Sequence, residues 1–340
     1  MRRFPALRAV FAILGVALAC AAATLALPTN PYQRYQLLHD TIHSRARWIY
    51  ERIHFDPTPI DVVIIGSSRT GAGANARRLG QLTGLNVVNF SLPEAGRNIN
   101  HAIIAELLTR KSPRLIVLGV TEKPSRLGHS TYRYLAPTMA LLDPAYVGNI
   151  NYIPDLGSLP FRQLQLFAAT LAPDVMGLSS HFDSALYAGA VYNTTADIVL
   201  PDGRIKRTDV PADPAELARG VAKFERGMQP PILPASFADI EFGDERIYVR
   251  RIAALARARG IRVAFLAMPY YTGPVTVQED ALYRSIGPVW NAGFVHRRAD
   301  LYSDYGHLTR TGALVVSDWL APRIAALLAE KPAVPATADR

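Results

Sequence analysis

The chain has 340 residues, 49% of them hydrophobic, and carries a formal net charge of +9 from 37 Lys and Arg against 28 Asp and Glu. That length and apolar content fill one large core or two small ones, and we expect a single domain with an insertion. The lone cysteine, Cys20, excludes an intramolecular disulfide and a cysteine-built metal site, so the compartment has to be read from the N-terminus.

Met1-Arg2-Arg3-Phe4-Pro5-Ala6-Leu7-Arg8 precedes an uncharged run from Ala9 to Leu27, closed by Pro28-Thr29-Asn30-Pro31. Nineteen residues at about 1.5 Å each approach the roughly 30 Å of a bilayer's hydrocarbon core. Three arginines before the run and none inside it predict a cytoplasmic segment over 1–8, a transmembrane anchor over 9–27 and an exported remainder. A cleaved signal peptide is the alternative, because small residues around Ala19 to Ala23 offer an Ala-x-Ala site. Continuation of the run through Leu25 and Leu27 favours a retained anchor. Ala17-Leu18-Ala19 before Cys20 matches a lipoprotein box poorly, so the thiol is expected to be a plain membrane-embedded one.

From Tyr32 to Phe55 aromatics mix with Arg34, Arg45, Arg47 and Arg52, as in a juxtamembrane helix, and 28–59 is expected to be a linker. Asp56-Pro57-Thr58-Pro59 breaks it. The apolar runs Ile60–Ile65, Asn86–Phe90 and Leu115–Leu118 predict three strands, with helices over Ala72–Leu79 and Asn98–Leu108 between them. Beyond Val120 the rhythm stops, and prolines punctuate short helical pieces over about 121–243, with a hairpin turn at Pro201-Asp202-Gly203-Arg204; this region is expected to be an inserted cap. Periodicity returns at Asp244, where Tyr248, Ile252 and Leu255 recur at helical spacing before Gly260. Arg246, Arg250, Arg251, Arg257 and Arg259 then form a solvated helix face; their charge would assist encounter with an anionic membrane or polysaccharide. Nucleic acid is not an expected partner outside the cytoplasm. A strand over Ile261–Ala267, a helix over Glu279–Ile286, a short strand near Phe294-Val295 and a helix over Thr309–Ala329 follow, with a disordered tail from 330. Alternating strands and helices predict a three-layer α/β domain over 60–329 built on a parallel sheet. Its active groups should lie on loops at the strands' C-terminal ends, where Gly66, Ser91, Gly119 and Pro269 fall.

Three motif-like strings fail on chemistry. Gly71-Ala72-Gly73-Ala74-Asn75-Ala76 starts too far beyond its strand for a dinucleotide fingerprint, and Asn89 stands where an acid should close the next strand. Gly66 to Gly71 has phosphate-loop glycine spacing but lacks the lysine. His39-Asp40-Thr41-Ile42-His43 has aspartate where a zinc helix has glutamate, one methylene too short, and we expect surface histidines there. No cofactor or metal is implied.

A serine hydroxyl is a poor nucleophile at neutral pH and needs an imidazole to take its proton and donors to hold the oxyanion. Gly66 permits a sharp turn after the first strand, so that Ser68 faces the crevice and its backbone N–H opens a helix. Asp304-Tyr305-Gly306-His307 supplies an acid three residues before a histidine on a late loop. Each string alone is an ordinary turn or loop. Together they occupy the positions that the α/β pattern assigns to a Ser-His-Asp site.

Gly66-Ser67-Ser68 and Asp304-Tyr305-Gly306-His307, continued by Leu308-Thr309-Arg310-Thr311-Gly312, resemble the first and last blocks of the SGNH (GDSL) hydrolase superfamily. The resemblance spans roughly Asp61 to Leu328 and implies a flavodoxin-like sheet order. It assigns Ser68 as nucleophile, His307 as general base and then acid, and Asp304 as the group orienting the imidazole. Asn89-Phe90-Ser91 through Gly96 is similar to the second block, which implies oxyanion donors at Ser68 and at Gly96 or Ser91. The third block normally ends Gly-x-Asn-Asp, whereas Gly119-Val120-Thr121-Glu122 offers Thr121 as a shorter donor and Glu122 as a surface acid. Losing one oxyanion donor costs about 2.7–4 kcal/mol. The anchor, Gly-Ser-Ser for Gly-Asp-Ser and the long insertion resemble the membrane-anchored branch that includes alginate O-acetyltransferase subunits and the teichoic acid D-alanyl transfer protein. The expectation is therefore acyl transfer, acetyl first, onto hydroxyls of an exported or cell-envelope polysaccharide in the periplasm, fed by a membrane-bound acyltransferase partner. A carbohydrate or lipid esterase with the same triad is the alternative, and a non-catalytic polysaccharide-binding or assembly subunit a third.

Overall fold

The computed structural model describes residues 5–120, 122, 124–195, 198–199, 205–227 and 231–330. The hairpin turn expected at 201–204, the tail beyond 330 and the expected donor Thr121 lie outside the described residues.

An apolar helix, α1 (Pro5–Leu25), opens the chain and is followed by α2 (Pro31–Gln36) and α3 (Ala46–His54). β1 (Val62–Ile65) leads into α4 (Ser68–Gly73) and α5 (Ala76–Thr83), and β2 (Val87–Asn89) into α6 (Arg97–Leu107). After β3 (Leu115–Val120) come α7 (Tyr132–Leu135), α8 (Thr138–Leu142), α9 (Tyr152–Leu171), the antiparallel pair β4 (Ile198–Val199) and β5 (Ile205–Lys206), α10 (Pro214–Gly227) and α11 (Ala238–Glu241). α12 (Gly243–Arg257), β6 (Arg262–Ala267), α13 (Asp280–Arg284), β7 (Val289–Asn291) and α14 (Arg310–Ala329) complete the chain.

β1 is an unbroken β-branched run, fully buried, because both of its edges are paired and both of its faces covered. The sheet is wholly parallel, in the order β2-β1-β3-β6-β7. Counting only its own strands this is 2-1-3-4-5, a doubly wound arrangement. Side chains alternate across it with the strand period of two. Val63, Ile65, Ile116, Leu118 and Phe265 pack toward α6 and α12, and Val62, Ile64, Val117 and Leu266 toward α5 and α14. α14 is apolar and long enough to cross a membrane, yet Val316, Leu320 and Ile324 are wholly buried in that second core, which makes it a core helix.

Several expectations need correction. Residues 28–59 are not a free linker: Tyr32, Tyr35, Trp48, Ile49 and Ile53 are buried in the sheet's first core. Fully buried Arg52 donates to the carbonyls of Thr58, Pro59 and Ala190, and so fastens α3 to the insertion. The helix expected over Ala72–Leu79 breaks at Ala74, because Asn75 leaves the helix to accept from the Arg78 N–H and cap α5. The strand expected near Phe294-Val295 lies earlier, at Val289–Asn291. The Asn291 side chain accepts from the Gly293 N–H and turns Gly293–Val295 into a 3-10 segment. His43 is buried against the His129 ring at 5.3 Å rather than on the surface, whereas His39 is exposed.

Candidate active site

The nucleophile turn is built from glycines. After β1, Gly66 is followed by Ser67 in extended conformation as the cap of α4, which puts Ser68 at the first position of that helix. A Cβ on Gly66 would stand 2.5 Å from Thr70 Oγ1, and one on Gly119 would stand 1.9 Å from the same atom. Only glycines at the ends of β1 and β3 let α4 settle this close to the sheet. Buried Asn89 holds α4 from the other side: its Nδ2 donates to the carbonyls of Thr70 and Ala74 at 3.2 and 2.9 Å.

Ser68, His307 and Asp304, 239 residues apart at the widest, meet in one hydrogen-bonded chain. Asp304 lies on a tight loop between Tyr302 and Leu308, which form an isolated antiparallel bridge. Its Oδ1 accepts from the backbone N–H of Gly306 and of His307 at 2.7 and 2.8 Å, so the loop itself orients the carboxylate. Both carboxylate oxygens lie 2.9 Å from His307 Nδ1. A carboxylate accepts only, so Nδ1 carries the proton and Nε2 presents its lone pair, 2.8 Å from Ser68 Oγ. The His307 side chain keeps 30% of its surface exposed and Asp304 17%, so the base is reachable from solvent while the acid is shielded.

The backbone N–H groups of Ser68 and Gly96 find no acceptor among the described residues and are available to an oxyanion. Gly96 has φ +150°, and a Cβ there would fall 2.3 Å from the backbone N of His129, so only glycine fits. A small cleft lined by Gly66, Ser67, Glu94, Gly96, Gly119 and Ser125 opens at this end of the sheet. Ser91 is not an open oxyanion donor: its N–H is taken by Asn89 Oδ1 at 3.1 Å, and its fully buried Oγ has no partner among the described residues. Neither the small cleft nor a larger surface cavity, lined by Asn75, Arg77, Tyr192, Asn193, Thr195 and Arg310, has a triad residue in its lining; the cleft adjoins Ser68 through Ser67.

Other supporting groups had no signal in the sequence. Arg69, next to the nucleophile, is buried and donates through Nη1 to Met268 O at 2.6 Å and to Glu122 Oε2 at 3.0 Å. Glu122 is thus a shielded ion-pair partner joining α4 to the end of β3, not a surface acid. The guanidinium also covers the Tyr270 ring at 3.9 Å, and Tyr270 stacks on Tyr305 of the Asp304 loop at 5.5 Å. This contact sequence braces nucleophile and base against each other. Arg97 is buried, donates to Gly119 O at 2.8 Å and pairs with Glu245 at 2.9 Å, while Asp244 accepts from its N–H at 2.7 Å. Burial raises the Asp244 carboxyl to about 7. Among the described residues no cluster of His, Cys, Asp and Glu of the kind that holds a metal ion occurs.

The fold and site together define a parallel α/β protein with a Ser-His-Asp hydrogen-bonded chain at the C-terminal ends of its strands. No protein-family model matches the chain, and neither a curated protein nor a solved structure does.

Proposed function

We propose that this chain is an exported serine acyl-transfer enzyme that moves an acyl group, acetyl first, onto hydroxyls of a polysaccharide. The single observation that carries the reading is the aligned contact from Asp304 through His307 to Ser68. Ser68 Oγ attacks the donor's carbonyl carbon as its proton passes to His307 Nε2, and Asp304 stabilises the imidazolium. The N–H groups of Ser68 and Gly96, neither of which has an acceptor among the described residues, are the donors assigned to the developing oxyanion. Collapse of the tetrahedral adduct breaks the bond to the donor's leaving group, which takes the proton from Nε2. A sugar hydroxyl then gives its proton to the same nitrogen and attacks the acyl-serine; the second adduct collapses by breaking the acyl–Oγ bond, and Ser68 Oγ takes the proton back from Nε2. Water in place of the sugar makes the enzyme an esterase, and the solvent-exposed His307 ring favours keeping that second reading.

The resemblance of the Gly66 and Asp304 blocks to SGNH hydrolases supports serine chemistry. The anchor and the insertion support the exported, membrane-anchored transferase branch with the domain in the periplasm and an acyl-supplying membrane partner. α1 is apolar and long enough to cross a membrane, and its Arg8–Leu25 stretch is unburied. A fluorophosphonate probe tests the core claim: the folded protein is labelled and Ser68→Ala is not. Absence of Ser68-dependent labelling in folded protein points to the non-catalytic binding subunit. An acetyl ester supplied with and without an oligosaccharide then separates the enzyme readings, since acetylated sugar requires transfer and acetate release alone means esterase.

A further inference from the structure

α9 shows an apolar face to solvent. An amphipathic helix on a globular domain normally buries its apolar stripe and shows water its polar one. In α9 the buried side is mixed: Leu159, Leu166 and Ala169 share it with Asp155, Arg162 and Gln163, each about 5% exposed or less. Arg162 Nη1 donates to Arg133 O at 3.0 Å, and Gln163 Nε2 to Leu27 O at 3.1 Å. On the opposite side Ile153, Phe161, Leu164 and Leu171 are 70%, 75%, 47% and 69% exposed. At 3.6 residues per turn these four fall within a sector of roughly 80°, and no charged residue shares it. Ile150 and Val175, just beyond the two ends, extend the surface at 71% and 87% exposure. A contiguous apolar face of this kind on the solvent side of a helix marks a contact with something apolar.

The chain itself says what reaches α9. Leaving α1, it is strapped along α9, with Leu27 O held by Gln163 and the Asn30 N–H donated to Thr170 Oγ1 at 2.9 Å. These two attachments are about 10 Å apart along the helix. The end of the unburied apolar helix α1 therefore rests on α9, and a bilayer crossed by α1 has its surface at α9. We propose that the outward face of α9 lies in the headgroup and upper acyl region of the same bilayer, making the domain's attachment two-point. This contact rests on the reading of α1 as an anchor. Lipid is the occupant chosen over a second copy because the face is uncharged, built of Ile, Leu and Phe, and belongs to the helix that holds the anchor's end.

The test uses the full chain with Cys20→Ser, reconstituted in phosphatidylcholine–phosphatidylglycerol nanodiscs and carrying a bimane label at one introduced cysteine. Ile153→Cys and Phe161→Cys report on α9, and Leu82→Cys, on α5 in the layer across the sheet, is the control. Brominated acyl chains should quench both α9 labels at least threefold more than the Leu82 label. Phe161→Glu with Leu164→Glu should abolish the quenching at residue 153 while circular dichroism stays unchanged. Quenching no greater than at Leu82 overturns the proposal. So does a label shielded from aqueous iodide without bromolipid quenching, which would mean that protein covers the face. The mass of the membrane-purified protein decides separately whether residues 1–27 are retained. Loss of those residues with quenching intact ends the anchor reading alone, and an anchored chain without quenching ends this one. None of the readouts depends on Ser68 chemistry.

Discussion

At the scale of single residues, what matters is which proton sits where. Asp304 presents both oxygens to His307 Nδ1, so the tautomer that leaves Nε2 free follows from one carboxylate. Asp304→Asn can keep the shape of the loop while offering the imidazole an amide, and the rate of Ser68 labelling or turnover is expected to fall by about 10³–10⁴ with little change in melting temperature. A loss below tenfold, measured on folded protein, would remove Asp304 from the mechanism. Arg69 is tested by stability instead. Arg69→Met leaves the Glu122 side chain, 7% exposed, without its cation. Chemical denaturation should show about 3–5 kcal/mol of destabilisation, and Arg69→Met with Glu122→Leu should recover part of it. Ser68, His307 and Asp304 were legible in the sequence because each sits within a few residues of a turn-forming glycine. Arg69, Glu122 and Tyr270 were not, since nothing local shows that a helix start, a strand end and a later loop converge.

At the scale of elements, α6 and α12 are tied together by the Arg97–Glu245 pair and by Asp244, and this network carries a pH signature. Burial raises Asp244 from 3.8 to about 7 and Asp155 to about 6, so the folded state holds protons that the unfolded chain releases. Their contribution is complete below about pH 3.8 and is lost as pH rises through 6 to 7. Burial, aided by nearby positive charge, lowers His43 and His101 from 6.5 to about 4. Theirs is present above 6.5 and is lost as pH falls toward 4. The two carboxyls oppose the histidines across the same interval, and His129, which burial also lowers, adds to the histidine side, so the native protein's stability should fall as pH drops from about 6 to 4.5. Asp244→Asn keeps an acceptor for the Arg97 N–H and removes one opposing group. Its stability should fall toward acid by up to about 1.4 kcal/mol more per pH unit than the native chain's. Urea melts across that range check this, and parallel profiles would refute it. Strand runs such as Val-Val-Ile-Ile announced their elements directly. The break between α4 and α5 did not, because Asn75 and Asn89 act through side-chain bonds that composition does not reveal.

At the scale of the whole molecule, the site stands at the C-terminal ends of β1, β2 and β3, and the aromatic segment 31–55 backs the same sheet. Apart from Leu25, which packs against the first core, α1 remains outside it. The full chain is expected to fractionate with membranes and to resist extraction by carbonate, whereas a chain starting at residue 28 should become extractable without losing Ser68 labelling. Retention of the full chain in the soluble fraction would count against the anchor and for the cleaved signal. That 28–59 belongs to the domain was hidden by its arginines, which look solvent-bound in sequence. Arg52 is instead buried and satisfied by three carbonyls.

The sequence by itself determined the elements that follow from local chemistry. These are the apolar N-terminal helix, the buried parallel strands, the glycine turn before Ser68 and the acid three residues ahead of His307. Only the tertiary structure decided which donors are free, because a backbone N–H at Ser91 or Gly96 is alike in sequence until Asn89 occupies one and leaves the other open. It also decided which way α9 faces. A pattern of polar and apolar residues gives a helix two sides, and packing alone says which of them is turned to the core.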